Sequence, residues 1–444
     1  MAGEKGTKGQ KLLKRISPPA GLRGDCRPPG DKSISHRAVI LNSIARGQAT
    51  IANFSPGADC WSTVACLRAL GVDISGQPQA DKPPVLEVTG VGLDGLREPE
   101  DVLNAGNSGT TTRLLSGLLA AQPFLSIITG DSSLRSRPMK RVIDPLRLMG
   151  AQVWARGGDS LAPLVIRGGH LQGINYRLPV ASAQVKSAIM LAALFARGNT
   201  CLEEPQLSRD HTERLLRSLG VSLKMSNGCV EVTPLTAAPP ALDLVVPGDL
   251  SSAAYWLVAG VIHPRSRLKV INCGINPTRA GLIEVLQAMG AVLKIERERR
   301  EGHEPVADIQ VESSKLRGID ISGEVVPRLI DEIPVLAVAA SLAQGTTTIR
   351  GAEELRVKES DRIDTTVREL SKMGARIEPL PDGMVIRGVQ HLRGAEVDSH
   401  QDHRLAMSLG VAALVAQGTT TISGAEAVDI SYPGFWEELE RISE

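Results

Sequence analysis

The chain has 444 residues, with 50 Lys and Arg against 49 Asp and Glu, and it is 42% hydrophobic but only 2% aromatic. This length predicts at least two domains with ample core. A net charge of +1 and few aromatic side chains argue against a polyanion partner and against stacked bases, so we expect no nucleic-acid partner. No apolar run approaches the roughly 18 residues that span a bilayer, so we expect no membrane partner either.

Six cysteines occur without a C-x-x-C pair and without histidine partners at metal spacing. This pattern predicts reduced, mostly buried thiols and a cytoplasmic protein. The first fifteen residues carry four lysines and one arginine against a single Glu4. Because a transit peptide is longer and rich in serine, we predict a basic, disordered tail over residues 1–15.

The segment PGDKSISHRA, residues 29–38, places two cations and two hydroxyls at the start of an apolar helix. A helix start presents unpaired backbone N–H groups and the positive end of the helix dipole. Lys32, Ser33 and Arg37 add donors there, which predicts a site for phosphate or carboxylate. A Ser-capped helix with solvated basic residues is the alternative for this segment alone.

Two patterns recur along the chain. The phrase L-x-x-(L/M)-G-(A/V/I)-x-(V/I/L) occurs five times, with its glycine at 71, 150, 220, 290 and 374. An Ala-rich helix followed by a short turn and a β-branched strand occurs six times. Glycine after the last helical turn is a C-cap, and the following run is a strand. The self-similarity predicts six α/β units.

Pro-rich breaks at residues 28–30 and 237–241 leave three units between them and three after the second. We therefore predict two domains of three units each, with a chain that crosses between them twice. The predicted boundaries are residues 16–30 with 242–444 for domain 1, 31–241 for domain 2, and 28–31 and 238–247 for the hinges. Two neighbouring crossings suit a cleft that closes on its ligand.

The six Ala-rich helices begin with different residues. Their starts read DKSISHR (31–37), NAGNSGTTTR (104–113), ASAQVKS (181–187), GDLSSA (248–253), DEIPV (331–335) and DHRLA (402–406). A protein that needed only helix caps would repeat one cap type. The variety predicts one composite site where the helix N-termini converge on the cleft, and coincidental variety of caps is the alternative.

Two further segments concentrate charge. LRSRPMKRVIDPL (134–146) carries Arg135, Arg137, Lys140 and Arg141, and LRVKESDRIDT (355–365) carries Lys358, Glu359 and Arg362. Helical spacing would place Lys358 and Arg362 one turn apart. Either segment alone is typical of a surface salt-bridge helix. Together with the helix starts, they indicate guanidinium clamps for carboxylate and phosphate.

The set PGDKSISHR, NAGNSGTTTR, SRPMKR, ASAQVKSA, SRDHTE, LRVKESDR and QDHRLAM resembles the 5-enolpyruvylshikimate-3-phosphate synthase family. The motifs run from residue 29 to residue 407, so the resemblance covers nearly the whole chain. It implies a two-domain, inside-out α/β barrel of six βαβαββ-type units with the active site in the interdomain cleft. It also implies transfer of the enolpyruvyl group of phosphoenolpyruvate to shikimate-3-phosphate, a shikimate-pathway step of aromatic amino acid biosynthesis, by a monomer without cofactor or metal.

The resemblance assigns roles by motif. It implies that shikimate-3-phosphate is held by Lys32, Ser33, Arg37, Ser182, Ala183, Gln184, Arg209, Asp331 and Lys358. It implies that phosphoenolpyruvate is held by Lys32, Gly109, Arg137, Gln184, Arg362 and Arg404. Asp331, Glu359 and Lys32 are the implied catalytic residues, for proton transfer at the 5-hydroxyl, at C3 and at the bridging oxygen. We also hypothesise that Glu332, next to Asp331, raises the pKa of one of the two carboxyls.

The chain departs from the family pattern at two positions. Ile430 stands where some members carry a lysine before the C-terminal Tyr-Pro, and Ala183 stands where some carry a second serine. Two alternatives are a UDP-N-acetylglucosamine enolpyruvyl transferase and a phospholigand-binding protein without catalysis. The chain lacks the Gly-Gly-Cys loop of the first, and the presence of Asp331, Glu359 and Lys32 argues against the second.

Overall fold

Six α/β repeats build the fold, as the sequence predicts. The computed structural model describes residues 12–78, 82–226 and 228–444. Two N-terminal strands, β1 (Leu13–Ile16) and β2 (Leu22–Cys26), precede the first repeat. The first half then contains α1 (Lys32–Ser43), β3 (Arg46–Ala52), α2 (Ala58–Ala69), β4 (Asp73–Ser75), β5 (Leu86–Val91), β6 (Leu103–Asn104), α3 (Gly109–Leu119), β7 (Leu125–Thr129), α4 (Lys140–Leu148), β8 (Gln152–Ala155), α5 (Arg156–Asp159), β9 (Leu161–Arg167), β10 (Asn175–Arg177), α6 (Ala183–Ala193), β11 (Thr200–Glu203), α7 (His211–Ser218), β12 (Leu223–Ser226), β13 (Cys229–Val232) and β14 (Leu244–Val245).

The second half follows a similar order of elements, except in its last unit. It contains α8 (Leu250–Ile262), β15 (Ser266–Gly274), α9 (Gly281–Ala288), β16 (Val292–Glu301), β17 (Glu304–Glu312), β18 (Asp320–Ile321), α10 (Ile333–Ser341), β19 (Thr346–Ile349), α11 (Arg362–Lys372), β20 (Arg376–Leu380), β21 (Gly383–Arg387), β22 (Leu392–Arg393), β23 (Glu396–Asp398), α12 (His403–Ala413), β24 (Ala416–Gln417), β25 (Thr420–Ser423) and α13 (Phe435–Arg441). Short 3-10 turns at Ile330–Glu332, Glu353–Val357 and Ala425–Ile430 connect them. Five repeats carry a four-stranded sheet, in the order β6-β7-β9-β8 for the second one.

The chain exchanges strands where it crosses between the halves. N-terminal β2 pairs in parallel with β15 of the second half, and β14 pairs in parallel with β3 of the first. The two crossing segments meet at an antiparallel bridge between Gly30 and Gly248. Val246 still belongs to the core of the first half, so the return crossing follows it rather than residue 242. The division into two hinged domains stays a prediction.

Each half has its own hydrophobic core, formed by residues 34–246 in one case and by residues 16–26 with 250–442 in the other. Helices α3, α6, α8 and α12 are buried on nearly every side. Their alanine, glycine and serine residues explain this, because small side chains let helices approach closely and a helix that is apolar all round belongs in a core. The sheets cover these helices from outside, which is the inside-out arrangement.

The repeated phrase ends five outer helices with a left-handed glycine. Gly71, Gly150, Gly220, Gly290 and Gly374 have φ between 76° and 109° and follow α2, α4, α7, α9 and α11. A residue with a side chain adopts this conformation only at a cost. The predicted C-caps are therefore confirmed.

The predicted N-terminal tail was wrong at its end. Residues 1–11 lie outside the described residues, but Leu13–Ile16 forms β1 and pairs antiparallel with β25, with Ile16 opposite Thr420. The basic residues did not reveal this strand because its partner lies at the other end of the chain. Lys14 also bonds to Glu440.

The expectation of six reduced cysteines was wrong for one pair. Cys201 of β11 and Cys229 of β13 are joined by a disulfide, with their Cα atoms 6.0 Å apart on adjacent antiparallel strands. Cys26, Cys60, Cys66 and Cys273 are free and buried, as expected. The pairing depends on strand register, which the spacing of cysteines in the sequence does not show.

Close packing of α3 against α6 depends on Gly117. A Cβ built there would lie 2.0 Å from the carbonyl oxygen of Ala188, which is backbone and cannot turn aside. We expect Gly117→Ala to lower the free energy of unfolding by about 1–3 kcal/mol, although alanine is the better helix former. Denaturant unfolding measures this. Gly169→Ala is the control, since nothing lies within 4 Å of that Cβ; equal stability of the two variants would contradict the packing account.

Candidate active site

The N-termini of the six buried helices open onto one cavity of about 160 Å³ between the two halves. Helices α1, α3 and α6 reach it from one side, and α8, α10 and α12 from the other. The lining includes each predicted site residue except Arg37, namely Lys32, Ser33, Gly109, Arg137, Ser182, Ala183, Gln184, Arg209, Asp331, Lys358, Glu359, Arg362 and Arg404. The fold therefore brings together groups that lie up to 372 residues apart.

Positive charge exceeds negative charge in this cavity. Among the described lining residues, nine are Lys or Arg and five are Asp or Glu. The formal excess of four positive charges contrasts with the nearly neutral chain. Such a concentration favours a ligand, or a pair of ligands, that carries several negative charges.

Side-chain caps fix the start of most of these helices. A side-chain oxygen accepts a backbone N–H from the first turn in five of the six; the capping residues are Asp31, Ser108, Ser182, Asp249 and Asp402. Helix α10 instead has Pro334 in its first turn, where no N–H is needed. The caps hold the next residues of each helix at the cavity wall.

Asp331 lies among four cations. Its carboxylate accepts a hydrogen bond from Arg209 at 2.6 Å and another from Arg362 at 3.4 Å, and it lies 3.8 Å from both Lys358 and Arg404. Burial alone would raise the pKa of Asp331, but Arg404, Lys358, Arg209 and Arg362 hold that pKa well below its ordinary value. Asp331 is therefore ionised.

Glu359 is held in the charged form in the same way. Its carboxylate accepts a hydrogen bond from Arg362 at 2.5 Å and lies 3.5 Å from Arg137 of the other half. Burial would raise the pKa of Glu359, but the cations Arg362, Arg137 and Lys32 hold it well below the usual range. An anion that draws these cations away would reverse this shift.

Lys32 lines the same cavity as Asp331 and Glu359, and its ammonium group pairs with Asp59 of α2. Burial would lower the pKa of Lys32, but the charge and hydrogen bond of Asp59 outweigh burial and raise that pKa above its ordinary value. Lys32 is thus an ammonium group. The sequence did not reveal Asp59 as its partner, because the two residues are 27 positions apart on different helices.

Gln184 is fixed between two groups of α3. It donates to Thr110 Oγ1 at 2.8 Å and accepts from Arg113. Burial and the nearby Arg141 and Arg137 lower the pKa of Arg113 to about 9. Gly109 begins α3 beside these groups, and a Cβ there would lie 2.9 Å from the Arg113 guanidinium. One wall of the cavity therefore combines the backbone of Gly109, which no side chain covers, with several cationic side chains.

Arg37 lies behind the cavity rather than in its lining. Its guanidinium donates to Ser33 O at 2.8 Å, to Thr212 Oγ1 at 2.6 Å and to Ser187 Oγ at 2.7 Å. It thereby ties α1 to α6 and α7. The helix pattern placed Arg37 near the anion site but could not show that three internal acceptors already engage it.

Arg279 joins the two crossing segments. It lies 3.0 Å from Asp249 and 3.9 Å from Asp31, the caps of α8 and α1. Burial and Asp31 raise the pKa of Asp249 to about 6, while Arg279 and further neighbouring groups together outweigh burial and lower the pKa of Asp31 to about 2. The sequence offered no signal for Arg279, which lies outside every motif.

The hypothesis for Glu332 was wrong where it concerns Asp331, whose pKa lies below its ordinary value rather than above it. Glu332 turns away, accepts a hydrogen bond from Ser251 and lies 4.0 Å from Arg279. The cations around Asp331 therefore affect its pKa more than repulsion from the Glu332 carboxylate does.

The helix predicted to carry Lys358 and Arg362 together is interrupted. Lys358 is extended after the turn Glu353–Val357, and Asp361 caps α11 at Arg362. The Asp361 carboxylate accepts the backbone N–H groups of Ile363 and Asp364, which fixes the helix start there. Both cations nevertheless line the cavity.

Only part of the basic segment 134–146 faces the cavity. Arg137 and Arg141 line it, four residues apart, while Arg135 and Lys140 are exposed. Helical spacing would have singled out Arg113 as the residue one turn after Gly109 on α3. Arg137 is extended and precedes α4, so the same spacing does not relate it to Arg141. His403 lines the cavity too, and burial lowers its pKa to about 3, so its ring is neutral.

Across residues 12–78, 82–226 and 228–444, no three His, Cys, Asp or Glu side chains are grouped so that they could hold a metal ion. In the same described part of the chain, no helix is both long and apolar enough to cross a membrane.

The chain matches known proteins along nearly its whole length. The sequence model of EPSP synthase (3-phosphoshikimate 1-carboxyvinyltransferase) matches residues 16–439. A 3-phosphoshikimate 1-carboxyvinyltransferase of Chloroflexus aggregans is 56% identical over 432 residues, which cover 97% of this chain and 98% of the relative. One from Synechococcus sp. is 54% identical over 430 residues, with 96% of each chain covered.

Solved structures agree with these sequence matches. The 2.37 Å structure of EPSP synthase from Acinetobacter baumannii superposes with a TM-score of 0.87 and 43% sequence identity, and 98% of each chain is covered. The fold and the matched length therefore coincide. The chain belongs to the EPSP synthase (3-phosphoshikimate 1-carboxyvinyltransferase) family.

Proposed function

We propose that the cavity binds shikimate-3-phosphate and phosphoenolpyruvate together and transfers the carboxyvinyl group to the 5-hydroxyl, releasing phosphate. The family supports this reaction, a shikimate-pathway step of aromatic amino acid biosynthesis. The observation that carries our assignment of roles is that Asp331, Glu359 and Lys32, all charged, line one cavity with an excess of cations. The two ligands bring two phosphates and two carboxylates, and an excess of cations attracts such negative charge.

Shikimate-3-phosphate binds between α1, α6 and the Asp331 turn in this proposal. Ser182 and Gln184 face its phosphate and ring, and Ala183 contacts it without a hydroxyl. Arg209, Lys358 and Ser33 supply further donors, with Lys32 shared by both ligands. Arg37 supports this site from behind, by holding the Ser33 carbonyl.

Phosphoenolpyruvate binds against Arg362 and Arg404 through its carboxylate and against Arg137 and Lys32 through its phosphate. Gly109 lets it approach the start of α3, where backbone N–H groups favour an anion. Gln184 lies within reach of both ligands. Ile430 cannot supply the positive charge of the lysine that some family members carry at this position. Arg113 and Arg141 place positive charge on the same wall of the cavity as Arg137.

Asp331 accepts the proton of the 5-hydroxyl as that oxygen attacks C2 of phosphoenolpyruvate. Glu359, with Lys32 as the second candidate, delivers a proton to C3, which gives a tetrahedral intermediate with a methyl group. Loss of a proton from that methyl and departure of phosphate, assisted by Lys32 at the bridging oxygen, then form the product. The enol phosphate carries its own activation, so we expect no cofactor.

Proton delivery by Glu359 requires that its pKa rise when substrate binds. Arg362 and Arg137 hold Glu359 ionised. The negative groups of phosphoenolpyruvate neutralise those cations and add their own repulsion, and both effects raise the pKa of a carboxyl. Binding of phosphoenolpyruvate thus turns Glu359 into a proton donor.

We further infer that one chain suffices for activity, because all six helix starts at the cavity come from a single protomer. A monomer in the cytoplasm, with no nucleic acid or membrane partner, fits this inference. Closure of the cleft on shikimate-3-phosphate also fits, since Lys32 and Asp331 belong to opposite halves.

We expect Arg404→Ala to weaken binding of phosphoenolpyruvate more than binding of shikimate-3-phosphate. The variant removes a charge-assisted bond to a buried carboxylate, which costs about 1.5–3 kcal/mol. Isothermal titration of each ligand measures the two losses. Arg376→Ala, at an exposed strand position, serves as the control. Equal losses for both ligands in Arg404→Ala would mean that the clamps are assigned wrongly.

Turnover in heavy water is expected to place deuterium in the vinyl group of the product and in recovered phosphoenolpyruvate. The reason is that a methyl group rotates freely in the intermediate before it loses one hydrogen. Mass spectrometry measures the label, and its absence from C3 during turnover would rule out addition–elimination.

The same assay tests Glu359. We expect Glu359→Gln to suppress the exchange more than it weakens ligand binding. Glu354→Gln, which changes another carboxyl of the cavity wall, is the matched control and should exchange faster than Glu359→Gln. Wild-type exchange in Glu359→Gln would remove this residue from its role and leave Lys32 as the acid.

A further inference from the structure

At the start of α2, backbone of the second half comes close to backbone of the first half. Gly57 precedes α2 in the first half, and Ile430 and Ser431 follow the turn Ala425–Ile430 in the second. A Cβ built on Gly57 would lie 2.7 Å from the carbonyl oxygen of Ile430 and 3.0 Å from Cα of Ser431. Neither atom belongs to a flexible side chain, so neither can turn away.

Nothing within the first half requires glycine at this position. Gly57 has φ −63° and ψ 142°, which any residue adopts. The three atoms nearest to the built Cβ all belong to Ile430 and Ser431. Gly57 also leaves α2 without a side-chain cap, although a serine there would supply one. Only the contact across the cleft explains the absence of a side chain.

The contact lies close to the reacting groups. Asp59, two residues after Gly57, pairs with Lys32 and lines the cavity. When segment 430–431 seats on the start of α2, the second half, with Asp331 and Glu359, is fixed against Lys32. A displacement at this contact therefore changes the distances between groups that must act together.

We propose that Gly57 is the positioning residue that permits full closure of the cleft, by letting segment 430–431 reach the start of α2. Any side chain at residue 57 holds the halves apart at this contact while leaving each half folded. This inference rests on the proposed function, since it concerns alignment of Lys32 with Asp331 and Glu359 for carboxyvinyl transfer.

The test compares Gly57→Ala and Gly57→Ser with the parent protein and with Gly169→Ala. Gly169 has nothing within 4 Å of its built Cβ and lies outside the cavity lining, so that variant should match the parent. We expect kcat for phosphate release to fall about tenfold to a hundredfold in both Gly57 variants, since a misplacement of about 1 Å has this effect. Small-angle scattering should show less compaction at saturating shikimate-3-phosphate.

Thermal unfolding of the ligand-free protein distinguishes an effect on the alignment of the two halves from a loss of stability. We expect Gly57→Ala to melt at the parent temperature and Gly57→Ser at the same or a higher one, because serine caps α2. Parent-like kcat and compaction in both variants would overturn the inference, as would a lower melting temperature with unchanged kcat. Failure of the parent protein to release phosphate would instead refute the proposed function, so the two failures are distinguishable.

Discussion

The buried carboxylate of Asp331 is the constraint on which the site depends. An ionised carboxyl is costly to bury unless cations and hydrogen bonds surround it, and here Arg209 comes from one half while Lys358, Arg362 and Arg404 come from the other. The ion pairs join the halves across the cleft. They also keep the cations in place until the anionic substrates take over as their partners.

The repeat architecture supplies that arrangement. Each of six helices is buried because its residues are small and apolar, and each is capped or begins with proline, so its first turn meets the cavity. The scaffold is the same six times, while the residues of the first turn differ. One fold therefore presents cations, amides, hydroxyls and carboxylates to a single volume, and Arg279 links the caps of α1 and α8 where the halves join.

Local patterns were predictable from the sequence, and long-range partners were not. The left-handed glycines, the repeats and the starts of the buried helices follow from spacing and capping chemistry. Asp59 beside Lys32, and the strand β1 beside β25, depend on contacts between distant segments and left no periodic signal. The prediction of one helix across Lys358 and Arg362 was wrong because Asp361 caps α11 after Lys358. Helical spacing and the capping aspartate are both local signals, and here the cap determines where the helix begins.

In this mechanism, substrate anions displace carboxylates from their cations, and Glu359 thereby takes up the proton that C3 receives. Calorimetric titration of the shikimate-3-phosphate complex with phosphoenolpyruvate, in buffers of different ionisation enthalpy, measures the protons taken up on binding. We expect the parent protein to take up more protons than Glu359→Gln under the same conditions. Equal uptake by the two proteins would contradict it.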